Sequence, residues 1–80
     1  MVTPLPPHPA LSAQHNKVLA MLSVGMRTHQ IAEELVIAPK TVKAYIRRMA
    51  RKLGIEVDSG VDARLLVLRK ATEDLMLPKA

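Results

Sequence analysis

The 80-residue chain contains no cysteine, no tryptophan, no phenylalanine and one tyrosine, Tyr45. Without cysteine it has neither a disulfide framework nor a thiolate metal site. His8, His15 and His29 fall on separate segments without metal-ligand spacing, so neither a metal nor a cofactor is expected. No apolar run approaches the roughly 20 residues that span a bilayer, which argues against a membrane partner. The amino terminus lacks the charged region and apolar run of a secretory signal, and the chain reads as soluble and cytoplasmic. Paired carboxylates, a nucleophile beside a base and a glycine-rich phosphate cradle are all missing, so no enzyme activity is expected.

What remains is a small, basic, aliphatic chain. Eighty residues make one domain that buries only about 60% of the surface its unfolded form exposes, so a partner subunit or ligand is an expected source of stability. With aromatics nearly absent, the core must be Leu, Ile, Val, Met and Ala. No stretch shows the alternation of a half-buried strand, and the fold class is therefore all-α. A formal net charge of +5 points to an acidic partner.

Residues 1–10 carry Pro4, Pro6, Pro7 and Pro9, which forbid a helix and predict a disordered, extended arm. Ser12 can cap a first helix to about Val24, with Val18, Leu19 and Leu22 inward, Leu11 packed just before it and Gly25 at its end. A second helix is predicted from about Thr28 to Leu35 or Val36, with Ile31, Ala32 and Leu35 inside. Val36-Ile37-Ala38 forms a turn, Pro39 suits the first position of a third helix, and Gly54 stops that helix after Leu53. Asp58 or Ser59 begins a fourth helix, over about 60–76, and Ser59 with Asp62 resembles a capping box. The folded domain is thus expected over 11–77.

The third helix carries the chemistry. Residues 40–52 hold six of the twelve basic side chains and no acidic one. At about 100° per residue, Val42, Ile46, Met49 and Leu53 fall on one edge, and Lys40, Ala44, Arg47 and Arg51 on the other, with Arg48 beside them. Such a helix buries one edge and offers a cationic edge to a polyanion that admits a rod about 10–12 Å wide, such as a DNA major groove. Small Ala32, a three-residue turn and a cationic second helix together make a helix-turn-helix.

These residues resemble the DNA-binding domain of the LuxR/GerE family of bacterial transcription regulators. The resemblance runs through Leu11-Ser12, Val18-Leu19, Gly25, Gln30-Ile31-Ala32, Leu35-Val36-Ile37, Thr41-Val42-Lys43 and Lys52-Leu53-Gly54-Ile55, and covers about residues 11 to 72. It implies four helices, the third reading the major groove of double-stranded DNA and the fourth forming a homodimer contact. It also implies a bacterial or phage regulator associated with the nucleoid. The chain departs from the family pattern at several positions. Gln14, His15 and Lys17 stand where Arg, Glu and Glu are usual. Arg27 replaces a capping Ser, which leaves Thr28 as the substitute cap. Ala38 also replaces a Ser, forgoing about 1 kcal/mol of capping. Tyr45 stands where His is frequent, and 56–60 is two or three residues longer than usual.

By position in the family motif, Lys43, Ala44 and Arg47 approach base edges. Arg47 can fork onto guanine O6 and N7, and Ala44 can approach a thymine methyl. Phosphate contacts fall to Lys40, Thr41 and Tyr45, to Arg48, Arg51 and Lys52, and to Thr28 and His29 at the amino end of the second helix. The fourth helix has two apolar faces. One carries Val61, Leu65, Leu68 and Leu75; the other carries Ala63, Leu66, Val67 and Leu77. A small core needs only one, and Val61, Leu65, Leu66 and Leu68 are the candidate dimer contacts. The alternative reading is a protein-interaction module in which the same fold binds a regulator or RNA polymerase.

Overall fold

A computed structural model describes residues 4–57 and 62–76 as four helices, with no strand among the described residues. They are α1 (Ala13–Ser23), α2 (Thr28–Leu35), α3 (Pro39–Lys52) and α4 (Ala63–Met76). The helix-turn-helix is α2 and α3. Helix α3 packs against all three others, and α1 and α4 also touch each other. The core is aliphatic throughout. Leu11, Val18, Leu19 and Leu22 meet Ile31 and Ala32 of α2, Val42, Ile46, Met49 and Ala50 of α3, and Val67 and Ala71 of α4. Ala32, Ala50 and Ala71 let backbones approach closely in a core that has no large ring to fill space.

The helix ends follow local chemistry. Ser12 caps α1, its hydroxyl accepting the His15 N–H at 3.2 Å. Thr28 is not the cap of α2. It is the first helical residue, and Arg27 holds the cap position. The Gln30 side-chain carbonyl accepts the Arg27 N–H at 2.8 Å. This is half of a capping box, since a guanidinium has no acceptor to return the bond. Asp62 directly precedes α4, and its carboxylate accepts the Arg64 N–H at 3.0 Å. Ser59, the sequence-predicted cap, lies outside the described residues.

Three helices close in the same way at their carboxyl ends. Met26 N–H bonds Met21 C=O at 3.1 Å, Ile37 N–H bonds Ala32 C=O at 3.0 Å, and Ile55 N–H bonds Ala50 C=O at 2.9 Å. Each closure places one residue in the left-handed region. After α1 and α3 that residue is Gly25 or Gly54, as the sequence predicts; after α2 it is Val36, at φ 58°. A β-branched side chain there strains the backbone by about 1–2 kcal/mol. Val36 recovers little of this by packing, because it is 88% exposed.

The arm makes contacts that the sequence does not signal. Residues 4–8 form no helix, in keeping with their prolines, 9–10 make a turn closed by the Leu11 N–H on His8 C=O at 3.1 Å, and the segment is tied to the helices. Leu5 N–H donates to Ser23 Oγ at 3.0 Å. Asn16 of α1 takes the His8 N–H at 2.8 Å and returns a bond to His8 C=O at 3.1 Å. The His8 ring is also held at both nitrogens. Ala10 N–H donates to Nδ1 at 3.0 Å, so the ring proton sits on Nε2 and donates to Asp74 Oδ2 at 2.9 Å. That bond, and a second from Lys70, hold the Asp74 carboxyl below the usual carboxylate range.

Two predictions follow from these local structures. Val36→Gly or Val36→Asn should raise unfolding stability by about 0.5–1 kcal/mol, measured by urea denaturation, because strain is relieved and little packing is lost. Asp74→Ala should speed amide exchange at Leu5 and His8 while leaving Leu19 and Met49 unchanged. Because the folded Asp74 carboxyl lies below its ordinary 3.8, the clasp is complete above that pH and is lost as pH falls through the lower folded value.

Candidate nucleic-acid interface

Helix α3 begins at Pro39, whose fixed φ starts the first turn without a side-chain cap from Ala38. Its buried edge is Val42, Ile46, Met49 and Ala50, and the edge away from the core is cationic. Lys40, Lys43, Arg47 and Arg51 are exposed and share an arc of about 100° with half-buried Ala44. A second stripe, Thr41, Tyr45, Arg48 and Lys52, lies beside the first; its cations are exposed and Thr41 and Tyr45 are half-buried. The sequence-predicted base contacts Lys43, Ala44 and Arg47 thus sit together on the outermost arc.

Electrostatics separate α3 from α4. On α4, Arg69 pairs with Glu73 and Lys70 with Asp74, while Arg64 pairs with Asp62 just before the helix. None of the six cations of α3 pairs with a carboxylate among the described residues. The α3 surface therefore keeps its full positive charge toward solvent. Thr28 is half-buried at the start of α2 and His29 exposed beside it. An open cleft of about 510 Å³ occupies the elbow between α2 and α3, lined by His29, Glu33, Val36 and Pro39 among others. Glu33 brings negative charge to that cleft, which sets it apart from the cationic stripes. Among the described residues no group of three His, Asp or Glu is placed to hold a metal ion. Among the described residues no helix is long and apolar enough to cross a membrane.

The fourth-helix candidates separate. Val67 and Ala71 face the core, with Ala63 and Leu68 packed against it. Leu68, a candidate dimer contact, is half-buried, with part of its surface against the core. Leu66 is half-buried, and Leu65 is 65% exposed and marks the outward face. Val61 lies outside the described residues.

Two histidines have places that the sequence reading missed. His8 is only 7% exposed, in the clasp on α4. Nothing periodic surrounds it, so no local signal announced this. His15 is 8% exposed, with its ring centroid 5.6 Å from that of Tyr45 at a 59° tilt. Here a signal existed: His15, Val18, Leu19 and Leu22 share the inward spacing of α1. Burial, then Lys52, then Arg48 lower the affinity of its imidazole for a proton.

Comparison with known proteins places this geometry. The chain matches the family model for bacterial regulatory proteins of the LuxR family over residues 9–63. It is 42% identical over 50 residues to the probable transcriptional regulatory protein NarL of Mycobacterium tuberculosis, covering 62% of this chain and 23% of that one. The same identity over the same length relates it to the DNA-binding transcriptional activator DevR/DosR of that organism, again 62% of this chain and 23% of the relative. It is 46% identical over 44 residues to the HTH-type transcriptional activator RamA of Corynebacterium glutamicum, 55% of this chain and 16% of the relative. The chain thus spans about a quarter or less of the length of these relatives. No solved structure matches it with significance. A match across more than half its residues, on a four-helix fold with the helix-turn-helix at its centre, makes this chain a member of the LuxR family of bacterial regulatory proteins.

Proposed function

We propose that the chain regulates transcription by binding double-stranded DNA in a sequence-specific manner, with α3 in the major groove. The observation that carries this reading is the row of exposed α3 cations that meet no carboxylate among the described residues. A fourteen-residue helix is about 21 Å long, enough for its first half to lie in the groove while its last turns meet the flanking backbone. Arg47 reads a base, most naturally guanine, through its two parallel donors. Lys43 and Ala44 flank it in the groove. Lys40, Thr41, Tyr45, Arg48, Arg51 and Lys52 fix register on phosphates, and Thr28 and His29 bring the amino end of α2 to the same strand. The relatives' names, a DNA-binding transcriptional activator among them, support this use of the fold.

Self-association through α4 completes the proposal. Leu65, at 65% exposure, is a large apolar side chain on a helix whose opposite face is already occupied by the core. With half-buried Leu68 on the same face, Leu65 gives a second copy an apolar strip, and a two-fold pair of α3 helices then matches two half-sites about one DNA turn apart. An exposed leucine is also what a protein-interaction module would show. That reading, with a regulator or RNA polymerase as partner, leaves the unpaired cations of α3 without a role.

Arg47→Ala should weaken binding by about 1–3 kcal/mol on the preferred site and relax base preference at one position. Arg51→Ala should weaken every sequence alike and flatten the dependence of log affinity on log salt by about one unit. Fluorescence anisotropy on a selected duplex and its scrambled counterpart, across salt concentrations, separates the two; equal losses on both duplexes for both variants would remove the division of labour. Leu65→Glu should yield a monomer in sedimentation equilibrium at concentrations where the unaltered chain is dimeric. A monomeric unaltered chain at high micromolar concentration would end the dimer proposal.

A further inference from the structure

Tyr45, which shares a stripe of α3 with Arg48 and Lys52, rests on one buried titratable group, His15 of α1. The ring lies against Tyr45, and its Nδ1 is sealed from solvent with no hydrogen-bond partner. Buried polar atoms without partners are rare in folded proteins, and each one asks for an explanation. Aliphatic packing would have filled this position at lower cost, as Val18, Leu19 and Leu22 do further along the same face.

The surroundings of the ring carry charge of one sign. The Tyr45 ring meets it from α3, and the charges of Lys52 and Arg48, exposed on the same side of that helix, disfavour its protonation. Its own helix has no acidic residue in the first turn. The unbound domain therefore holds this imidazole neutral by burial and by two cations. Those two cations are the ones assigned above to DNA phosphates.

We propose that His15 is a positioning residue that takes up a proton from solvent when phosphate occupies the Tyr45–Arg48–Lys52 stripe, so that duplex affinity rises as pH falls. This rests on the reading of α3 as a DNA-binding helix. A bound phosphate offsets the charge of Lys52 and Arg48 and removes two of the three influences that oppose protonation; burial remains. The imidazolium then adds a third positive charge on this side of α3 and sets a cation against the tilted Tyr45 ring. Binding and protonation favour each other by the same factor, as linkage requires.

The test reads both sides of that linkage. In nitrogen-detected NMR of the histidine rings, the His15 titration midpoint should rise by about half to one unit when a saturating duplex is added. By anisotropy at fixed salt, affinity should rise by about three- to tenfold between pH 8 and pH 5, since one unit corresponds to a factor of ten. His15→Phe keeps a ring against Tyr45 and should lose this rise. His29→Gln, which lowers affinity by removing a candidate phosphate contact, should keep it. A His15 midpoint that a bound duplex leaves unmoved overturns the inference while DNA binding stands; so does a His15→Phe profile parallel to that of the unaltered chain. Absence of binding to any duplex at any pH overturns both. If His15→Phe does not fold, the NMR titration of the unaltered chain decides.

Discussion

Every feature of the candidate interface depends on how one amphipathic helix is seated. Helix α3 buries Val42, Ile46, Met49 and Ala50 against all three other helices. Seating it on that edge forces its cations outward, because a helix that commits one side to a core has only the other side to offer. The orientation of Lys43, Ala44 and Arg47 is therefore a by-product of aliphatic packing. A small domain without large rings does this with alanine, Ala32 and Ala50 letting backbones close what side chains cannot fill.

Charge then distinguishes two helices of equal length. Within and beside α4, cations are neutralised by nearby carboxylates at i, i+4 spacing or across the helix start. Such surface pairs contribute little to stability, typically below about 1 kcal/mol, but they erase the field of the helix. On α3 no such carboxylate is present, so like charges sit side by side at some expense to the unbound fold. A polyanion relieves that repulsion on binding and releases its own counterions. The same repulsion bears on His15, whose proton is disfavoured by the cations that a phosphate would neutralise.

The arm shows how a short segment can be tied to a fold without helix or strand. Its prolines lower the entropy lost on ordering, and its few backbone donors find side-chain acceptors on Ser23 and Asn16. The His8 ring spans arm and α4, donating to Asp74 while accepting from Ala10. A chain of this size gains from such a tie because its core alone is small.

From the residues alone came the boundaries of α1, α2 and α3 to within a residue or two (α4 starts at Ala63, about three residues later than expected), the glycine stops after α1 and α3, the inward edge of α3 and the cationic stripe. All of these are local: periodicity, capping chemistry and φ preferences act between residues a few positions apart. The Leu11-to-Ile55 motifs also placed the chain in its family, because that resemblance lies in sequence order. Only the tertiary structure decided the rest. Helix α4 reads as apolar on two sides, and nothing within it says whether Val67 or Leu65 meets the core; the neighbouring helices made that choice. The arm's prolines exclude a helix but say nothing of a partner 66 residues away in Asp74. His15 lies on an inward face by spacing, yet its position under Tyr45 exists only once α1 crosses α3. Contacts between distant segments depend on how whole surfaces fit, and no stretch of sequence contains both sides of such a fit.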